Sequence, residues 1–442
     1  MPHQAGSMTA GRAGRRALFA SGAVLSLLAA RPAAAVPTYQ FSGTIPIPIT
    51  QYNTTGNFIG YDLATFDATN QLYYLTDRSN NGIDVFSART NSFVTQIGSG
   101  SFTGNTPAAA NAGPNGISIN TLSDGSRLLL AGNGPSNFLA FNLAADGTTV
   151  NSVRTISTAV AGTPAAANRV DGVAYAPTAN TILAANNASN PGFITLINNA
   201  NGAVINSLLL NGTNGTPNVG GNGVEATVFN TARGTFFIAV PALTAAAMDS
   251  GGVIEVSATT GNILNTYDFN ALGLGANGSC NPTGLAQGIG ATVVIACSNG
   301  GTQSLVLDPA GTGTLRVVAG VSGADQLAYD PTRGTAFETA RFQPGGPVLG
   351  IIDAANASFV QSLPITYNSH SVAVDPVSGE VFVAFDATQA PTAAGALRVD
   401  PFCSLGCIGV FSIAATAVPE PATLPVMALA LAGLGFLLRR RA

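Results

Sequence analysis

Residues 72–97, LYYLTDRSNNGIDVFSARTNSFVTQI, hold three short runs rich in aromatic and β-branched residues, separated by Asn/Gly turns. That is the signature of consecutive antiparallel strands. The unit recurs: DGVAYAPTANTILAANN from Asp171, DQLAYDPTRGTAFETA from Asp325 and HSVAVDPVSGEVFVAF from His370 each read as strand, proline-containing turn, strand. Weaker copies start at Asp62, Asn115, Asn222 and Thr283, making seven units whose starts are 53, 56, 51, 61, 42 and 45 residues apart. This period suits four-stranded blades and is too long for leucine-rich or hexapeptide solenoids. The expected fold is therefore all-β, a seven-bladed β-propeller filling residues 36–417. Charged residues make up only 9% of the chain, against about 25% in ordinary globular domains, and the remainder is rich in turn formers, which fits that architecture.

A propeller has to close its ring. FSGTIPIPIT at 41–50 resembles FVQSLPIT at 359–366, where the outer strand of the sixth unit falls. An N-terminal strand is therefore expected to complete the last blade from outside.

Residues 72–97 resemble a YVTN-type repeat, and the units as a group are similar to YVTN, NHL and lactonase-like propellers over about 350 residues. WD-repeat and sialidase signatures use tryptophan, which this chain lacks.

In such a blade the residue that opens the first strand lies at one rim of the central channel. Those residues are Asp62, Asn115, Asp171, Asn222, Thr283, Asp325 and His370, all polar and each followed by small or apolar residues. They are expected to form a ring at the channel mouth. The long connections at 98–113, 157–168, 211–221 and 241–252 fall on the same face, while the opposite turns are tight, and elaborated loops mark a binding face. Polar channel linings also serve simply to hold ordered water. A sharper reading puts a divalent cation (calcium, magnesium or zinc) between Asp62, Asp171 and Asp325, with help from Asn115 and Asn222. The resemblance implies it, because gluconolactonase-like propellers hold a metal with acidic and amide groups and hydrolyse lactones. None of the leading residues here is a glutamate, although Glu225 follows Asn222 by three positions.

Other catalytic equipment is scarce. All seventeen basic residues are arginine, which removes Schiff-base chemistry. His370 is the one histidine beyond the first 35 residues, so any triad has to pass through it. Between 36 and 418 ten arginines face twenty acids, a net charge of −10 that repels nucleic acid. Two functions follow: a non-enzymatic surface or matrix binding protein, or a metal-dependent lactonase-like hydrolase.

The two ends agree on a destination. Arg12, Arg15 and Arg16 precede an apolar run and an A-x-A site, an export signal ending at Ala35. Twin-arginine and general secretory routes both remain open. For an exported chain the four cysteines suggest disulfides, by spacing Cys280 with Cys297 and Cys403 with Cys407. At the other end, 422–438 is a 17-residue apolar run, about 25 Å as a helix and able to span a slightly thinned bilayer. Arg439, Arg440 and Arg441 follow it and stay cytoplasmic by the positive-inside rule. Before the run stands VPEP, Val418, Pro419, Glu420 and Pro421. Residues 418–442 together closely resemble the PEP-CTERM sorting signal of Gram-negative bacteria. That resemblance implies recognition of the motif by an exosortase, a membrane cysteine peptidase. It also implies a tether in the inner membrane facing the periplasm, then delivery to the cell surface or the exopolysaccharide matrix of a biofilm, where exopolysaccharide or surface proteins are the expected partners.

Overall fold

The computed structural model describes residues 36–106, 109–159, 162–163, 168–245, 249–274, 280–298, 303–387 and 403–414. They form seven four-stranded antiparallel sheets arranged as a seven-bladed propeller. Six blades are sequential, over 61–97, 117–157, 172–209, 227–268, 282–319 and 324–364, and within each the strands pair in chain order. The first strand of every blade is the inner one and borders the first strands of both neighbouring blades, around to the seventh.

Local chemistry explains the strand–turn–strand units. In DPTRG, Pro331 sets its own φ, the Asp330 carboxylate accepts from the Thr332 and Arg333 amides at 2.8 and 3.3 Å, and Gly334 takes φ 66°. These are the requirements of a tight turn ending in a left-handed residue. Asn180 fills the corresponding place in APTAN with φ 52°, a conformation asparagine tolerates better than other residues with a side chain.

Blade faces are apolar on both sides, because each middle strand is covered by two neighbouring blades. Between the third and fourth blades, Leu183, Ile194 and Leu196 meet Phe236, Ile238 and Ile254, all fully buried. Each such side chain contributes about 1.5–3 kcal/mol by leaving water, and the same construction repeats around the ring.

The seventh blade closes the ring with both ends of the body. From the channel outward it runs Val372–Val374, Val381–Phe385, Cys407–Ile413 and then the N-terminal strand Tyr39–Pro46. Tyr39 pairs with Ile413 and Pro46 with Cys407. Ile45 is fully buried against Tyr73 and Phe86 of the first blade, and Tyr39 packs edge-on to Phe337 of the sixth at 5.0 Å. The closing strand thus sits two residues earlier than the sequence pattern suggested. Gln326 adds a polar stitch inside the channel: its amide donates to Ala64 O at 2.7 Å and accepts from the Ala64 and Val372 amides at 3.1 and 2.9 Å. Three blades are held together by that one side chain.

The expected export signal, 1–35, and the whole expected sorting signal, 418–442, with its VPEP motif, apolar run and arginines, lie outside the described residues. Among the described residues no helix is long and apolar enough to cross a membrane.

Candidate functional site at the channel mouth

The leading residues form a ring because the inner strands approach one another through small residues. A side chain at Gly116 would place its Cβ 1.4 Å from the carbonyl oxygen of Asp171, and one at Gly172 would lie 2.7 Å from that of Glu225. No residue larger than glycine fits at Gly116. The next steps are a hydrogen bond from the Ala226 amide to Thr283 O at 3.0 Å and the contact of Gly284 with Asp325 O.

This order corrects one assignment. In the fourth blade the ring position belongs to Glu225, while Asn222 lies in the preceding loop, its amide on Val219 O and its side chain 3.4 Å from Thr244 O. The signal was present: EATVFN aligns with DGVAYA once Ala226 is placed in the small-residue slot.

The sequence pattern also missed three arginines. Arg78 pairs with Asp62 at 2.7 Å, Arg169 with Asp171 at 3.1 Å and Arg341 with Asp325 at 2.9 Å. Arg78 and Arg341 occupy matching places, one residue beyond the second strand of their blades, Leu72–Asp77 and Thr335–Ala340. An alignment of LYYLTDR with TAFETAR would have revealed both. Arg78 also donates to Asn115 Oδ1 at 2.6 Å, and Arg341 to Asn368 Oδ1 at 3.2 Å. Asp171 is further held by the Asn187 amide. Every aspartate assigned to a cation is thus paired with a guanidinium. Among the described residues, no three histidine, cysteine, aspartate or glutamate side chains are placed to hold a metal.

The other ring members bond to main-chain carbonyls. Thr283 donates to Ala324 O at 2.9 Å, and Asn115 donates to Ala112 O at 2.7 Å. The His370 ring stacks on Tyr61 at 4.3 Å, and Tyr61 stacks on Phe58 at 4.6 Å. Its Nδ1 lies 2.7 Å from Asn368 O. Burial, helped by the Arg341 charge, lowers the imidazole pKa to about 4, so the ring is neutral and its Nδ1–H donates to that carbonyl.

Burial has the opposite effect on the carboxyls. It lifts Asp62 to about 7 despite Arg78, with Asp171 adding repulsion. It pushes Glu225 well above the carboxylate range, reinforced by Asp171 and Asp325.

Two cavities result. One of about 270 Å³ opens at the mouth among Asp62, Arg78, Asn105, Arg169, Arg341 and His370. The other, about 870 Å³, is the channel beneath, lined by Glu225 and by inner-strand residues including Phe66, Gln287 and Tyr329. Asn105 comes from the first long loop, one of those expected on this face. Both cysteine pairs form disulfides, Cys280–Cys297 in the fifth blade and Cys403–Cys407 in the seventh. Each joins segments at the mouth end of its blade, beside Pro282 and Phe385 in the strand registers.

Comparison with known proteins agrees with this architecture. The chain is similar in structure to a component of the mitotic checkpoint complex (TM-score 0.51, 14% identity, covering 93% of this chain and 99% of that one). It is also similar to hydrazine synthase of Kuenenia stuttgartiensis (0.52, 12%, 76% and 93%) and to the WD40 β-propeller domain of Doa1 (0.51, 12%, 85% and 98%). At these identities the likeness concerns the fold alone. No curated protein matches the chain in sequence. Residues 417–441 match the PEP-CTERM protein-sorting motif. The protein is a seven-bladed β-propeller carrying the C-terminal sorting motif of exported, exosortase-sorted, surface-directed proteins of Gram-negative bacteria.

Proposed function

We propose that the protein is a non-enzymatic binding protein displayed at the cell surface or in the surrounding matrix, with the channel mouth as its binding face. The observation that carries this reading is where the chain enters and leaves the propeller. The inner strand of the seventh blade starts beside His370 at the mouth, so in the antiparallel register Tyr39 and Ile413 lie at the opposite end. There the Ala414 amide donates to Thr38 O at 2.8 Å, and Ile413 Cδ1 lies 2.8 Å from where a Cβ on Gly379 would stand, in a tight turn. Four residues separate Ala414 from Pro419, five Cα–Cα steps with a reach of at most about 18 Å.

In this reading the exosortase recognises Pro419, Glu420 and Pro421, whose two prolines keep the segment extended for a peptidase. Segment 422–438 spans the inner membrane until cleavage, with Arg439, Arg440 and Arg441 on the cytoplasmic side. A body tethered so close to its tight-turn face directs the mouth away from the bilayer until processing. The similarity of residues 72–97 to YVTN-type repeats belongs to the same reading.

The test uses the full chain in vesicles containing head-group spin-labelled lipid, with a fluorophore on Val377→Cys at the tight-turn face or on Asn105→Cys at the mouth. Stronger quenching at position 377 is expected. Equal or stronger quenching at position 105 refutes the orientation, and lactone hydrolysis abolished by a chelator refutes the non-enzymatic role.

A further inference from the structure

Two residues that line the mouth cavity each carry a buried polar atom that the protein leaves without a partner: Nε of Arg341, a donor, and Oδ2 of Asp62, an acceptor. Their side chains are otherwise engaged, Arg341 with Asp325 and Asn368, Asp62 with Arg78. A buried polar group left without a partner is costly, so two of them on residues around one small cavity call for something that satisfies both.

The chemistry of that something is restricted. A carboxylate or phosphate offers only acceptors and would set a further negative charge beside the unpartnered oxygen of Asp62. An ammonium offers only donors, and would meet the guanidiniums. A hydroxyl both donates and accepts. The charges around the cavity are already matched, each guanidinium to its own carboxylate, so the cavity makes no demand for net charge. Asn105 adds an amide from the loop rim, and neutral His370, with Nδ1 occupied by Asn368 O, has Nε2 as an acceptor. At about 270 Å³ the space is slightly smaller than the ligand pockets of drug-sized molecules, which start near 300 Å³, and suits a single small ring.

We propose that the mouth cavity binds one uncharged sugar residue, as the end or a branch of a saccharide, whose hydroxyls donate to Asp62 and accept from Arg341. This inference rests on the surface-binding reading above and names its ligand class.

The exported protein, purified in a non-glycosidic detergent, is applied to an array of neutral and acidic saccharides, and the strongest neutral binder is titrated by calorimetry. Two variants locate the site. Asp62→Asn replaces the acceptor set, and Asn105→Trp fills the rim without touching an ion pair. Each is expected to weaken binding at least tenfold, with a cooperative melt showing that the fold is kept. The proposal is overturned if no neutral saccharide binds, if neither variant weakens binding, or if phosphate or glucuronate displaces the sugar, which would make the mouth an anion site. A protein that passes the quenching test yet ignores every saccharide refutes the ligand class alone.

Discussion

Replacing Asp62 with Asn should remove a specific piece of the protein's pH dependence. Asp62 is 8% exposed, and its carboxyl is lifted from 3.8 to about 7 because burial outweighs the attraction of Arg78. A pKa raised by folding means that the native state holds the proton more tightly than the unfolded chain. The stabilisation is complete below pH 3.8 and is lost as the pH rises through 7. About three pKa units at 1.36 kcal/mol each amount to roughly 4 kcal/mol of stability lost between pH 4 and pH 8. Asparagine does not titrate, so the variant escapes that loss, while breaking the pair with Arg78 adds an offset that differs little with pH. At about 2.1 cal/mol/K per residue, a body of this size has an unfolding entropy near 0.8 kcal/mol/K. The difference in Tm between variant and wild type should then move by about 5 °C in favour of the variant between pH 4 and pH 8. Differential scanning calorimetry at several pH values measures it, with both proteins in a Glu225→Gln background because Asp62 also raises the Glu225 pKa. Melting curves that stay parallel within 1 °C would show that Asp62 is ionised in the fold at all these pH values, and the electrostatic description of the mouth would fail.

Two further outcomes can be checked alongside. Glu338 lies fully buried between the fifth and sixth blades, where Ser304 is its hydrogen-bond partner at 2.8 Å, and burial pushes it up to about 8. Its stabilisation is therefore present below pH 4.5 and lost as the pH rises through 8, so Glu338→Gln should gain on the wild type by several kcal/mol at pH 8 and by almost nothing at pH 4; a constant difference in denaturant midpoint would contradict this. Ile45→Ala should cost about 2–5 kcal/mol, because it empties a fully buried site in the strand that closes the ring. Unchanged urea unfolding would mean that the N-terminal strand is dispensable.

The fold was legible because a propeller is written in local patterns. Each blade needs alternating strands within about 40 residues and turns such as DPTRG, and both recur visibly seven times. The closing strand could be read from its likeness to FVQSLPIT, the disulfide pairs from their spacing, and the sorting motif from a contiguous string. None of these depends on which distant residues meet. The mouth does. Arg341 lies sixteen residues from Asp325, in the next strand connection of one blade, whereas Gln326 reaches Ala64 across 262 positions, and an inspection of leading residues alone sees neither. Glu225 was displaced by three positions because the fourth blade puts alanine where its neighbours put glycine, and only the close approach of adjacent inner strands decides which residue fills the slot. The sequence by itself therefore determined the architecture and the route of sorting, through short-range periodicity and a contiguous motif. Only the tertiary structure decided that the ring aspartates face arginines, and that the chain leaves the propeller on the side away from the mouth. Both follow from strand register and ring closure, which bring together groups that local pattern keeps apart.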